Sequence, residues 1–178
     1  MDSALILLIV EVTVLAGLIG LFWVLWQGPP YVPSKDASVD EMVALADLKP
    51  GERVAELGSG DGRVAIALAR AGNKVDGFEI NPLLVLLARR NVRRSGLAKS
   101  ITISRRNFWR TDLSGYQVVT IFGIPHRMAL LGKKLERELA PGSRVISNAF
   151  VIPGWQPEHR TDKALRYVIG NCRVPAGE

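Results

Sequence analysis

Apolar positions follow two regimes along the chain. From Ala4 to Trp26 it reads ALILLIVEVTVLAGLIGLFWVLW, apolar on every helical face, with Glu11 as its one ionisable residue. At 1.5 Å per residue this run makes a helix of about 34 Å, enough to cross a hydrocarbon core about 30 Å thick. A cleaved signal peptide would have a basic leader, a shorter apolar core and a small-x-small cleavage site. Here the leader is Met1-Asp2-Ser3 and the run ends in Trp23, Leu25 and Trp26, which with Tyr31 suit an interfacial belt. Residues 1–27 are therefore expected to be an uncleaved transmembrane anchor. With no second ionisable group in the run, Glu11 is read as protonated or reaching toward headgroups rather than paired. Self-association through Gly17 and Gly20 stays open. Residues 28–35 are a Pro-rich linker, whose prolines forbid a continuing helix and hold the next segment close to the membrane.

From Asp36 onward the pattern alternates between periods. Helical spacing of Val39, Met42, Val43, Leu45 and Ala46 predicts a helix over 36–48. Short apolar runs predict strands at 53–57, 74–80, 100–104, 117–122, 143–150 and 164–169. Helices are predicted at 62–71, at 82–95 (with Pro82 in its first turn) and at 128–139. Strands separated by helices imply an α/β fold, a mostly parallel sheet with helices on both faces, occupying 36–178 as one domain. Only Gly170–Glu178 follow the last predicted strand, so the far edge of the sheet is expected to be incomplete.

Composition sharpens this division. The 48% hydrophobic content averages an apolar leader and an ordinary domain. The first 30 residues hold two of the 17 acids, Asp2 and Glu11, and none of the 23 Lys and Arg, so the remainder carries +8. A polytopic membrane protein, a disordered chain and a disulfide scaffold are excluded. One cysteine, Cys172, makes no intrachain disulfide, and with His126 and His159 it leaves no convincing metal site. Basic residues follow the apolar run and none precedes it, which places the C-terminal domain in the cytoplasm.

The chemistry concentrates at Glu56-Leu57-Gly58-Ser59-Gly60-Asp61-Gly62-Arg63, between the first strand and the next helix. Glycines there permit a tight turn and a close ligand approach, and a helix N-terminus offers free N–H groups. The spacing is G-x-G-x-G, not the G-x-G-x-x-G of a dinucleotide site, and no Gly-Lys-Ser/Thr follows to make a P-loop. Glu56 and Asp61 would repel a pyrophosphate. They suit a ligand with positive charge and hydroxyls, such as S-adenosylmethionine (SAM). Glu79, 21 residues after Gly58, ends the second strand, where a carboxylate accepts both ribose hydroxyls. Capping of the Pro82 helix is its plainer role.

At these residues the chain resembles class I SAM-dependent methyltransferases, whose sheet is Rossmann-like. Tyr31-Val32-Pro33-Ser34, Phe78-Glu79-Ile80-Asn81-Pro82, Asn107-Phe108-Trp109, Asp112-Leu113-Ser114 with Tyr116, and Ile121-Phe122-Gly123-Ile124-Pro125 are similar to one subgroup. That subgroup contains archaeal protein lysine methyltransferases and membrane-anchored mitochondrial ones acting on the ATP synthase c-subunit and the adenine nucleotide translocase. The likeness covers residues 29–157.

The resemblance implies that Glu56 orients the methionine end of SAM and that Gly58, Ser59, Gly60, Asp61 and Gly62 surround it. Glu79 then holds the ribose and Ile80 lies on the adenine. Asn107 stands where the family usually has Asp and still offers a carbonyl oxygen to the adenine amine; Phe108 or Trp109 adds a stacking face or packs in the core. Phe122, Gly123 and Pro125 replace the Asp/Asn-Pro-Pro-aromatic motif of relatives that modify amide or nucleobase nitrogens, and the carbonyls around Phe122 and Gly123 would orient a lysine amine. His126 is the candidate base, with a plain surface histidine as the alternative. Tyr31 and Trp155 are expected to line the substrate channel.

Arg89, Arg90, Arg93 and Arg94 share one helix face, with Arg105, Arg106 and Arg110 nearby. Without a base-stacking module, anionic headgroups or solvent suit this charge better than nucleic acid. The expected function is thus a membrane-anchored protein lysine N-methyltransferase. The rivals are a small-molecule or lipid methyltransferase at the bilayer, and a tethered SAM-binding domain without turnover.

Overall fold

The computed structural model describes residues 3–26, 36–122 and 125–173, with the side chains of 21–26, 36 and 125 outside the description. The chain divides into two units, Met1–Tyr31 and Val32–Glu178. The first is one helix, α1 (Ser3–Trp26), of 24 residues. Its described side chains are all exposed, and the Thr13 hydroxyl donates back to the Ile9 carbonyl at 2.7 Å. It is long and apolar enough to cross a membrane by length and composition. The belt residues Trp23 and Trp26 have no described side chains, and the linker lies outside the described residues.

The second unit begins with α2 (Asp36–Ala46), followed by β1 (Arg53–Leu57), α3 (Arg63–Arg70), β2 (Lys74–Glu79), α4 (Pro82–Arg94) and β3 (Ile101–Arg105). After a single 3-10 turn at Phe108–Arg110 come β4 (Val118–Phe122), a second such turn at Pro125–Arg127, α5 (Met128–Glu138), β5 (Arg144–Asn148), β6 (His159–Arg160) and β7 (Ala164–Val168). The seven strands are ordered β3-β2-β1-β4-β5-β7-β6. The first five run parallel; β7 pairs antiparallel with β5, and β6 antiparallel with β7.

The sheet edge is thus complete, contrary to the expectation from the short C-terminal remainder. The hairpin partner of β7 precedes it in sequence. Two-residue β6 carries no apolar alternation and is defined by pairing: His159 opposite Arg166, Arg160 opposite Leu165. Its turn is tied to α2, where Glu41 Oε2 accepts from the Thr161 hydroxyl at 2.5 Å and the Lys163 N–H at 3.0 Å.

Strands buried on both faces read as unbroken apolar runs. Val54, Val75, Val118 and Ile146 face one cluster with Met42 of α2, Leu68 of α3 and Val85 of α4. Ala55, Leu57, Val119, Ile121 and Val145 face the other, with Leu131 and Leu135 of α5. Each such fully buried Leu or Val contributes about 1.5–3 kcal/mol over its exposed state. Order reverses between β1 and β4, and ligands of open α/β sheets bind outside the carboxyl ends of strands at such a switch point.

Candidate cofactor and methyl-transfer site

The loop after β1 sits at that switch point. Gly58 and Ser59 donate their N–H groups to the Phe78 carbonyl at 2.8 and 3.2 Å, pinning the loop to β2. Gly58, Gly60 and Gly62 have φ of 82°, 53° and 81°, the left-handed region glycine occupies without strain. Gly62 caps α3, and a Cβ there would lie 3.2 Å from Ala88 Cβ. Gly77, under the loop in β2, belongs to no motif legible in the sequence; a Cβ there would lie 2.7 Å from Ile103 Cδ1 and 3.0 Å from Ser59 Cβ. From α4, Asn91 Nδ2 donates to the Asp61 carbonyl at 2.9 Å, a tie between distant residues that spacing alone could not show.

Three acids converge on this loop. Glu79 is 8% exposed, and three backbone N–H groups fix its carboxylate: Gly60 to Oε2 at 3.0 Å, Ile80 and Asn81 to Oε1 at 2.7 and 2.9 Å. The helix-capping role open to Glu79 belongs instead to Asn81, whose side chain accepts from the Leu83 and Leu84 N–H groups. Asp61 is held by Arg63, with Nη2 to Oδ2 at 2.8 Å. Glu56 is 4% exposed and its Oε2 has no hydrogen-bond partner. Burial pushes its carboxyl well above the usual range, and the charges of Asp61 and Glu79 add to the rise. The Ser59 hydroxyl is likewise buried and unpartnered. An orphaned carboxylate oxygen beside two further acids is the complement of a ligand carrying an ammonium and hydroxyls. The residues present therefore fit SAM.

Asn107 caps the 3-10 turn after β3, its Oδ1 accepting from the Trp109 N–H at 3.0 Å, so one lone pair of the oxygen expected to meet adenine is already used. Phe108 and Trp109 lie 5.2 Å apart, half-buried, against the cluster on the α5 face. An open cleft of about 730 Å³ adjoins Asn107 on that face, where β3 and β4 are joined without a full helix. Within it, Asp76 Oδ2 accepts from the Tyr116 hydroxyl at 2.9 Å and Arg53 Nη2 at 3.1 Å. Burial and that contact push the Tyr116 hydroxyl up to about 12.

At the end of β4, half-buried Phe122 meets Phe150 edge-to-face with centroids 6.3 Å apart. His126 is exposed in the turn that opens with Pro125. Gly123 and Tyr31 lie outside the described residues. Trp155, expected to line the substrate channel, packs in the core cluster on the α5 face. It is 6% exposed, packs on Tyr167 with centroids 5.4 Å apart and sits 3.6 Å from where a Cβ on Gly132 would be, so it is part of the core. Arg89 is exposed, with its Nε and Nη2 donating to the Ile103 carbonyl at 3.0 and 2.9 Å. Ala149, unremarkable in sequence, has φ of 63° immediately after β5.

Comparison with known proteins agrees with this geometry. Residues 56–159 match the family model described as the ANTKMT methyltransferase domain. The chain is 38% identical to the ATP synthase c-subunit lysine N-methyltransferase of Rattus norvegicus, over 82% of this chain and 68% of that protein. It spans 58% of the Homo sapiens counterpart's length. It is 38% identical to a protein-lysine N-methyltransferase of Saccharolobus islandicus, over 72% of this chain and 81% of that protein. Among solved structures, an RNA methyltransferase from Salinibacter ruber in complex with S-adenosyl-L-homocysteine superposes with a TM-score of 0.77. That chain is 33% identical, with 82% of this chain and 98% of that one covered. The match across the loop, Glu79 and the sheet that carries them makes this chain a member of the ANTKMT methyltransferase-domain family, with SAM as its cofactor.

Proposed function

We propose that the chain is a protein lysine N-methyltransferase acting on a membrane or membrane-proximal protein. The observation that carries this reading is the 38% identity, over 82% of the chain, to an enzyme named for lysine methylation of the ATP synthase c-subunit. Bound SAM supplies a methyl carbon activated by its sulfonium. Glu56 would hold the ammonium of the methionine end, Glu79 would accept from the ribose hydroxyls, and the loop glycines would let both approach the backbone. Ile80 and Phe108 would flank the adenine, and Asn107 would meet its amine with its remaining lone pair.

The lysine amine must be neutral to attack. With an ordinary pKa of about 10.4, well under one in a thousand is neutral at pH 7. The Phe122–Phe150 pair excludes water from the amine and lowers that pKa, and alignment supplies much of the remaining acceleration. The carbonyls around Phe122 and Gly123 would orient the amine, with Pro125 ending the motif, and exposed His126 is the candidate acceptor of its proton.

Residues 4–26 are the single membrane span in this reading, with the catalytic unit in the cytoplasm. Arg90, Arg93 and Arg94 are exposed on α4, and Arg93 and Arg94, in its last turn, complement the helix dipole. The structural neighbour from Salinibacter ruber is named for RNA, and this supports a second reading in which RNA is the methyl acceptor. Incubating native membranes and RNA with the protein and isotope-labelled SAM separates the two. Label in methyl-lysine of a membrane protein supports the proposal; label confined to RNA or to the organic phase refutes it.

A further inference from the structure

Five large apolar side chains of the catalytic unit are more than a third exposed: Leu83, Leu86, Leu87, Leu130 and Val151. Single exposed leucines are ordinary on any soluble surface. These five are not scattered. Leu83, Leu86 and Leu87 occupy the first two turns of α4, which starts three residues after β2 ends. Leu130 is in the first turn of α5, which follows β4, and Val151 comes three residues after β5. In a parallel sheet each of these points lies at the carboxyl ends of the strands. That rim also carries the Gly58–Gly62 loop, Glu79 and Phe122. No other large apolar side chain of this unit is as exposed among the described residues.

Arginines cluster on the β3–β4 side of this rim. Exposed Arg105 ends β3, with Arg106 and Arg110 directly after it. Exposed Arg127 opens α5, its guanidinium 6.0 Å from the ring centre of Trp109. Among the acids, Glu56 and Glu79 are buried, Asp61 is paired with Arg63 and Asp112 accepts from Ser114, while Asp162 in the turn before β7 and Asp40 of α2 are exposed at the flank of the rim. Apolar tips ringed by arginines are the pattern of a surface that sits in the headgroup region of an anionic bilayer. A solvated face has no reason to gather its leucines at one end. The arginines of the last turn of α4 lie about 15 Å along the helix from Leu83, away from this rim.

We propose that the carboxyl-end rim docks onto an anionic lipid bilayer. Leu83, Leu86, Leu130 and Val151 enter the boundary between headgroups and acyl chains, and the arginines meet lipid phosphates. The methyl-transfer site then opens onto the membrane surface, and the acceptor lysine stands at headgroup level. Docking rests on the methyltransferase reading only in identifying that rim as the mouth of the site.

The test uses the full chain reconstituted in vesicles of equimolar phosphatidylcholine and phosphatidylglycerol. Native Cys172 is 2% exposed, so the variants Leu86→Cys, Leu130→Cys and Val151→Cys take an environment-sensitive fluorophore at the introduced thiol. Lys74→Cys, at the amino end of β2, is the control. Nitroxide-bearing lipids should quench the three rim probes several-fold more than the control, and less in pure phosphatidylcholine. Rim probes quenched no more than the control overturn the proposal. So does shielding that rises with protein concentration regardless of lipid, which would mean a second copy covers the rim. SAM calorimetry on the same samples separates the two readings: binding without rim quenching refutes the docking alone, while quenching without binding refutes the methyltransferase reading alone.

Discussion

Gly60 donates its backbone N–H to Glu79 Oε2 at 3.0 Å, so the glycine loop and the acid at the end of β2 hold each other before any ligand arrives. Glu79→Ala removes the ribose acceptor and this brace together. Hydrogen bonds to a charged group are worth about 1.5–3 kcal/mol each, so SAM affinity should fall by at least tenfold and up to several hundredfold. Glu79→Gln keeps one acceptor oxygen and should lose less. Calorimetric titration with SAM measures both; wild-type affinity in Glu79→Ala contradicts the assignment.

Glu56 yields a pH prediction. Its carboxyl titrates well above an unfolded glutamate because burial penalises the charge. Between the unfolded value near 4.5 and the raised folded value, the folded protein binds the extra proton. Its contribution to stability is full below that window and is lost as pH rises through the folded pKa. Without SAM, the melting temperature of Glu56→Gln should exceed wild type at neutral pH and the difference should vanish in acid. SAM binding carries the opposite sign: its ammonium favours the ionised carboxylate. Affinity should therefore rise with pH through the titration, with proton release seen as a buffer-dependent binding enthalpy that Glu56→Gln abolishes.

Gly77 is constrained from both sides. A methyl group there meets Ile103 Cδ1 at 2.7 Å and Ser59 Cβ at 3.0 Å, one in the core and one in the cofactor loop. Gly77→Ala should cost about 1–3 kcal/mol in stability, typical of overpacking. It should also weaken SAM binding by moving Ser59. Denaturant unfolding and SAM titration on the same sample show whether the loop moves with the strand.

The α/β alternation was legible because the core strands are buried on both faces and the helices carry one apolar face each. Predicted and observed strand boundaries differ by at most two residues, as between 143–150 and Arg144–Asn148. The loop at 56–63 and Glu79 were legible because backbone conformation and charge are local properties of residue type. What escaped depends on pairing across the chain. His159–Arg160 is a strand only because Arg166 and Leu165 lie opposite, and Asn91 is 30 residues from the carbonyl it holds. In sequence Arg89 is one of four equal surface arginines, and only the fold shows its guanidinium turned onto β3. The exposed leucines of α4 were hidden for the converse reason: an apolar residue in a helix reads as core until its neighbours are placed.

Trp155 separates a structural role from a substrate-binding one. Buried against Tyr167, its truncation to Ala leaves a cavity costing about 3–5 kcal/mol. Trp155→Ala should lower the melting temperature sharply while SAM affinity per folded molecule stays near wild type. Unchanged stability with a raised KM for the acceptor would instead assign it to the substrate channel.

Ala149 stores strain where β5 meets the Phe122–Phe150 pair. Its φ of 63° is left-handed, and its neighbours keep it there: the Ala149 N–H donates to the Lys163 carbonyl at 2.8 Å, the Phe150 N–H to the Asn148 carbonyl at 2.8 Å, and the Ser147 hydroxyl to the Phe150 carbonyl at 2.6 Å. A left-handed L-residue costs about 1–2 kcal/mol, and the greater unfolded-chain entropy of glycine offsets about 0.5–1 kcal/mol of the relief. Ala149→Gly should therefore be neutral to about 1 kcal/mol stabilising, against the usual sign for glycine substitution. Ala149→Val should destabilise, since a β-branched side chain tolerates this φ less well. If the turn aims the Phe150 ring at Phe122, a looser Ala149→Gly turn lowers kcat for the acceptor amine while SAM affinity holds. Thermal unfolding with single-turnover methylation of the same variant distinguishes a strain that only sets stability from one that positions the collar around the amine.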